Sequence, residues 1–179
     1  IWTWAMGRAD QPGPGPDKHW RAMADKFATM AAEEVRAEQH RCDDAETVIV
    51  SFGTCAPFVD HVVDELRAGG VRIGSFRPVT IWPFPEAALA DAVRSASRVL
   101  VYEVNAGQMI DDVRLAVAGA CPVQAIGRVS IDSSGMRQGE ILDVRWLRDR
   151  VLGVLGLDGA TGGGASQKDR ADAQEGARS

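Results

Sequence analysis

Three short stretches carry the residue types able to do chemistry: Ser51-Phe52-Gly53-Thr54, Arg77-Pro78-Val79-Thr80 and Glu103-Val104-Asn105-Ala106-Gly107-Gln108. Each pairs a turn-former with a hydroxyl, guanidinium, carboxamide or carboxylate. Gly53 permits a sharp turn and Gly107 a close backbone approach. Thr54 and Asn105 are types that accept hydrogen bonds at helix starts. A helix N-terminus favours anions through its unpaired N–H groups and its dipole. Gly53, Thr54, Arg77, Asn105, Gly107 and Gln108 are therefore the candidates for a surface that meets a phosphate, a carboxylate or a partner chain. Blander roles compete. Thr54 and Asn105 read as plain helix caps, Arg77 as the partner of a neighbouring carboxylate, and Glu103 as an acceptor for backbone amides or a partner chain. Cys55 lies near a helix start, which can lower a thiol pKa. No histidine stands close in sequence to activate it, and a small buried residue is the simpler reading.

Other signals fail. His19, His40 and His61 lack metal-ligand spacing. Cys42, Cys55 and Cys121 are far apart with no C-x-x-C, which supports neither an iron–sulfur cluster nor structural zinc. No G-x-G-x-x-G follows a strand, and the glycine-rich residues 159–164 lack Gly-Lys-Ser/Thr. Asp111-Asp112 suit the first turn of a helix, where they complement its dipole. No catalytic residue and no metal ligand is assigned. The net charge of -5 argues against a nucleic-acid partner. No run reaches the ~18 apolar residues of a membrane span. Residues 1–17 lack the basic-then-apolar order of a signal peptide. Odd, scattered cysteines suit a reducing cytoplasm.

These stretches need elements to position them. Residues 47–52, 71–79, 98–104 and 122–127 read as strands. Residues 55–68, then from Pro83 and Pro85 to about 96, 108–118 and about 138–155 read as helices. Asp17 offers an N-cap to a leading helix over 17–33, with Trp20, Met23, Phe27, Met30 and Ala31 at three- and four-residue spacing. Residues 34–41 are ambiguous between more helix and an edge strand. Alternation of strand and helix implies a parallel sheet covered on both faces, and the continuous Val48-Ile49-Val50 and Val99-Leu100-Val101 fit burial on both sides. In such sheets ligands bind beyond the strands' carboxyl ends, where the three stretches fall. Before this domain, residues 1–16 end in Gln-Pro-Gly-Pro-Gly-Pro and read as a linker without regular structure. Ile1, Trp2 and Trp4 suggest the remnant of a preceding domain. Residues 158–179 hold no large apolar side chain and are expected to be disordered.

Four pieces carry a resemblance: Lys18 to Glu38, the DDAETVIVSFGTCA of Asp43 to Ala56, Leu66 to Leu89 with its RPVTIWPFP core (Arg77 to Pro85), and VLVYEVNAGQMIDDVR (Val99 to Arg114). In this order and spacing they resemble the C-terminal domain of the α subunits of 2-oxoacid:ferredoxin oxidoreductases. The resemblance implies a three-layer α/β/α sandwich like the transketolase C-terminal domain. Its mostly parallel five-stranded sheet would take an antiparallel edge strand at residues 35–41, with the domain spanning 17–157. It also implies a parent enzyme that decarboxylates a 2-oxoacid oxidatively, forms the acyl-coenzyme A and reduces ferredoxin. That enzyme uses thiamine diphosphate, magnesium and iron–sulfur clusters. Its partners are a pyrophosphate-domain β subunit, a γ subunit and a ferredoxin-like subunit. The Gly-Asp-Gly…Asn pattern for magnesium diphosphate is missing, so this piece is expected to bind no cofactor alone. Trp4-Ala5-Met6-Gly7 resembles the type acting on 3-methyl-2-oxobutanoate. The competing readings are a non-catalytic anion- or partner-binding module and the C-terminal domain of a transketolase-like enzyme or 2-oxoacid dehydrogenase.

Overall fold

The computed structural model describes residues 7–8, 11–127, 130–132, 135–137 and 143–157. Three segments, Thr47–Val50, Ile73–Pro78 and Arg98–Val101, form the centre of one sheet because each buries both faces. In chain order the elements are β1 (Gly7–Arg8), β2 (Gln11–Pro12), α1 (Pro16–Glu33), β3 (Ala37–His40) and β4 (Thr47–Val50). Then come a 3-10 turn (Gly53–Cys55), α2 (Ala56–Ala68), β5 (Ile73–Pro78), α3 (Glu86–Ala92) and β6 (Arg98–Val101). The last are α4 (Met109–Val117), β7 (Val123–Ala125), β8 (Ser130–Asp132), β9 (Gly135–Arg137) and α5 (Val144–Leu155).

The central sheet has five strands in the order β3-β5-β4-β6-β7. β4 pairs in parallel with β5 and β6, and β6 with β7, while β3 runs antiparallel to β5 at the edge. Residues on a strand alternate between faces. Val48, Val50, Phe76, Val99 and Val101 therefore join α3 and α4 in one core. Ile49, Ile73, Leu100 and Tyr102 join α2 and α5 in the other. This is the expected α/β/α sandwich. Full burial contributes about 1.5–3 kcal/mol for each Val, Ile or Leu, so the two layers hold β4 and β6 firmly.

Two features tie the start of the sheet together. The Arg67 guanidinium donates to Ile73 O at 2.6 Å, Arg41 O at 2.7 Å and Asp44 Oδ1 at 2.7 Å. Gly74 leaves room for the chain crossing there, since a Cβ would stand 2.6 Å from Arg41 O.

Several expectations need correction. Gly15, not Asp17, is the N-cap of α1, and it makes no side-chain cap bond; Pro16 takes the first helical position and places Asp17 in the first turn. The stretch ending in Gln-Pro-Gly-Pro-Gly-Pro is not wholly irregular, because Gln11 and Pro12 pair with Arg8 and Gly7. α3 ends at Ala92 rather than 96. Val93 has ψ 7°, and Ser97 N turns back to Glu46 O at 2.8 Å to enter β6. α5 begins at Val144, where Asp143 Oδ1 accepts from Arg145 N and Trp146 N. β8 and β9 pair before it where no strand was expected. The expected helical residues 138–142 and the expected tail 158–179 lie outside the described residues.

Candidate functional site

The carboxyl ends of β5, β4 and β6 are neighbours in the sheet. Arg77, the Gly53-Thr54 turn and the Asn105–Gln108 loop consequently follow one another along a single edge. The topology gathers them, but their recorded side-chain hydrogen bonds stay within each connection or turn outward.

Gly53 has φ 58°, and a Cβ there would meet nothing within 4 Å, so backbone conformation rather than crowding calls for glycine. Thr54 is exposed and is not the expected cap: neither the 3-10 turn nor α2 has a side-chain cap bond. The turn runs directly into α2, and Cys55 N bonds to Phe52 O instead. Arg77 takes the ordinary role. Its Nη1 donates to Glu38 Oε2 at 3.0 Å, on the residue directly across the β3–β5 ladder. That contact draws the guanidinium toward the outer edge strand and away from β4, and Nε is left buried without a hydrogen-bond partner.

The third loop is built around Glu103, only 2% exposed. Its Oε2 accepts from Gln108 N at 3.1 Å and Met109 N at 3.0 Å, and its Oε1 from Ile110 N at 3.3 Å. Asn105 Oδ1 accepts from Gly107 N at 2.8 Å and Gln108 N at 3.1 Å. Asn105 is not the N-cap residue of α4, which is Gln108; it closes the loop that leads there. Gly107 has φ 94°. Gln108 and Val104 are exposed. The helix N-terminus expected to attract an external anion is thus already filled by the chain's own carboxylate. This removes the support for an anion site at the start of α4. It also decides Glu103 for the backbone-satisfying role.

Cys55 is no activated nucleophile. Burial pushes its thiol pKa up, and the nearby Glu103 carboxylate acts in the same direction. Burial likewise pushes the Cys42 thiol up to about 11. Among the described residues no group of three or more His, Cys, Asp or Glu side chains could hold a metal. With the α4 amides occupied as well, the described residues do not fit a magnesium diphosphate or an iron–sulfur cluster.

Sequence reasoning missed two polar arrangements, both on the α2 face. One is Arg67 with its three acceptors. The other joins Ser75 Oγ to Asp60 Oδ1 at 2.5 Å, beside a pair from His40 Nε2 to Asp64 Oδ1 at 3.0 Å. His40 and Ser75 face each other across the β3–β5 ladder. No local motif marks them, because strand pairing and a crossover helix bring them together.

Comparison with known proteins gives consistent results. A family model described as "Pyruvate:ferredoxin oxidoreductase core domain II" matches residues 45–137. The ketoisovalerate oxidoreductase subunit VorB of Methanothermobacter thermautotrophicus is 29% identical over 134 residues, covering 75% of this chain and 36% of that subunit. The chain thus spans about a third of the length of the curated relatives it matches. Among solved structures, a 2-oxoglutarate:ferredoxin oxidoreductase from Magnetococcus marinus superposes with TM-score 0.59 at 19% identity, over 84% of this chain and 26% of that one. A split-gene transketolase, described as an inactive beta4 tetramer, superposes with TM-score 0.53 at 18% identity, over 69% of this chain and 42% of that one. At these identities the two structures establish the fold.

Proposed function

Because the chain belongs to the pyruvate:ferredoxin oxidoreductase core domain II family, we propose that it is the C-terminal supporting domain of a 2-oxoacid:ferredoxin oxidoreductase α subunit. In this reading the parent complex decarboxylates a 2-oxoacid, transfers the acyl group to coenzyme A and passes the electrons through iron–sulfur clusters to ferredoxin. Thiamine diphosphate, when bound between the other domains, supplies the carbanion chemistry. This chain supplies a rigid sheet edge rather than reacting groups.

The observation that carries the reading is the self-satisfied loop after β6. Glu103 and Asn105 consume the amides that would otherwise cradle a diphosphate, which suits a buttress and not a cofactor site. Gly53, Thr54 and Gln108 present the exposed part of the edge; Arg77, Asn105 and Gly107 shape it from behind. We assign this edge to contact with a neighbouring subunit or with coenzyme A. The expected partners are the β subunit carrying the pyrophosphate domain, a γ subunit and a ferredoxin-like subunit, in the cytoplasm. Three free cysteines accord with that compartment. Likeness to a ketoisovalerate oxidoreductase subunit makes 3-methyl-2-oxobutanoate the first substrate to try.

The test is reconstitution of the full complex and measurement of coenzyme A-dependent ferredoxin reduction across a panel of 2-oxoacids. Turnover is expected in the complex, with no thiamine diphosphate binding to the 179-residue chain by calorimetry. A complex inactive on every 2-oxoacid, or tight cofactor binding by the chain alone, overturns the reading.

A further inference from the structure

The loop after β5 runs on from Thr80 into a groove of about 720 Å³, a size within the range of about 300–1,000 Å³ that ligand clefts occupy. Val35, Ile81, Trp82 and Phe84 give it apolar walls, and its charged lining is Glu86 and Asp112, both negative. Trp82 is braced but not covered. Its ring centroid stands 5.2 Å from that of Phe27 with the planes 77° apart, and Trp82 remains 58% exposed. Val35 and Ile81 are exposed as well.

The two carboxylates decide what can lie there. Glu86 opens α3, and Asp112 stands in the first turn of α4. Each complements its helix dipole, which accounts for an acid at each first turn but not for the apolar groove they share. The arginines of this region go to other acids: Arg94, just beyond α3, to Asp91, and Arg114 on α4 to Asp111. Among the described residues neither Glu86 nor Asp112 takes a side-chain hydrogen bond or an ion pair. Asp112 is half-buried, so water screens it less than a fully exposed acid and a cation beside it gains more. Uncompensated negative charge disfavours the phosphates of a nucleic acid, a coenzyme or an acidic lipid. The apolar walls in turn offer nothing to a bare hydrated cation. What suits both is a cation carried on an apolar segment. A guanidinium stacks on an indole and its planar fork can donate to two carboxylates at once, while aliphatic neighbours cover Ile81 and Phe84.

We propose that this groove docks a polypeptide segment of another protein in which an arginine stands between aliphatic residues. The guanidinium lies against Trp82 and donates to Glu86 and Asp112, and the flanking side chains cover the apolar walls. This goes beyond the supporting role above and does not depend on the reaction of the parent enzyme.

The experiment is a heteronuclear NMR titration of the whole chain with acetyl-Leu-Arg-Leu-amide. The matched peptide with citrulline in place of arginine keeps the shape and lacks the charge. The Trp82 indole N–H, assigned through Trp82→Phe, is the reporter. A saturable shift is expected, with the arginine peptide binding about three- to tenfold more tightly than the citrulline peptide. Glu86→Gln and Asp112→Asn each remove most of that preference and leave the citrulline peptide's affinity unchanged, a pattern that a merely greasy groove does not give. Raising the salt to about 1 M narrows the gap in the same way. Circular dichroism checks that both variants keep the fold. Absence of a saturable shift at millimolar arginine peptide, equal binding of the two peptides, or a preference that survives in both variants overturns the proposal. So does a Trp82 signal that moves with chain concentration when no peptide is present, which would assign the groove to a second copy.

Discussion

Replacing Glu103 by alanine removes every side-chain acceptor at the buried start of α4. Met109 and Ile110, whose amides lose their partner, are 3% and 6% exposed. Gln108 is exposed, so water can reach its amide more easily, and Asn105 Oδ1 also accepts from it. Two buried N–H groups are then left unsatisfied at about 1–3 kcal/mol each, and a negative charge that complements the helix dipole is lost. The expected destabilisation is about 2–5 kcal/mol, a large share of a domain's typical net stability of about 5–15 kcal/mol. Glu103→Gln recovers little of it. The carboxamide has one accepting oxygen, and its NH2 must face an N–H now held by Oε1 or Oε2. Asn105→Ala disturbs less buried amides, Gly107 N and Gln108 N, and should cost about 0.5–2 kcal/mol. Urea denaturation followed by circular dichroism gives the energies. Hydrogen exchange at the Met109 and Ile110 amides locates the damage. A Glu103→Ala cost below that of Asn105→Ala, or unchanged exchange at those amides, would refute the view that this carboxylate is structural.

Three further outcomes follow from the same geometry. Gly127→Ala places a Cβ against the Glu103 carbonyl oxygen, and Gly74→Ala places one 2.6 Å from Arg41 O; each should lower the urea midpoint by the equivalent of about 1–3 kcal/mol of overpacking, whereas Gly70→Ala, strained only by its φ of 86°, should cost about 1–2 kcal/mol. The Arg67 guanidinium holds the Asp44 carboxyl below its usual range, and hydrogen bonds from His40 and then Arg41 do the same for Asp64. A carboxyl depressed on folding stabilises above its unfolded pKa of about 3.9 and loses that contribution as pH falls through the folded value. Stability should therefore drop on acidification from about pH 5 downward, and less steeply in Asp44→Asn; identical slopes in parent and variant would count against the assignment. Finally, Cys121 is half-buried whereas Cys42 and Cys55 are buried, so timed alkylation read by mass spectrometry should label Cys121 first, with Cys42, raised to about 11, protected until the domain opens.

How much of this could be read beforehand follows from where each residue finds its partner. β4 and β6 were legible because Val48-Ile49-Val50 and Val99-Leu100-Val101 bury both faces, which writes an unbroken apolar run into the chain. β3 was not legible from its own residues. Ala37-Glu38-Gln39-His40 has no buried member, so its own residues leave it open between more helix and an edge strand; pairing with β5 makes it a strand, as the family resemblance implies. The loop after β6 shows the same division. Turn chemistry identified Asn105 and Gly107 as loop-forming residues, but the Glu103 carboxylate folds back on amides up to seven residues away, and its burial depends on the sheet being assembled. Arg67 depends on three segments at once and leaves no local trace.

α1 presents the inverse case. Its periodicity is as plain as that of any core helix, yet among the described residues none of its side chains is fully buried. A buried element repays the pattern it carries by packing within the domain; α1 carries the pattern and does not. Among the described residues Trp20, Met23, Phe27 and Met30 are covered only in part, Phe27 by the Trp82 ring. The same comparison applied to β4, where pattern and burial agree, shows why the disagreement at α1 is informative. Apolar spacing specifies that a face is to be covered, and only the assembled fold reveals whether the cover comes from within or from another molecule.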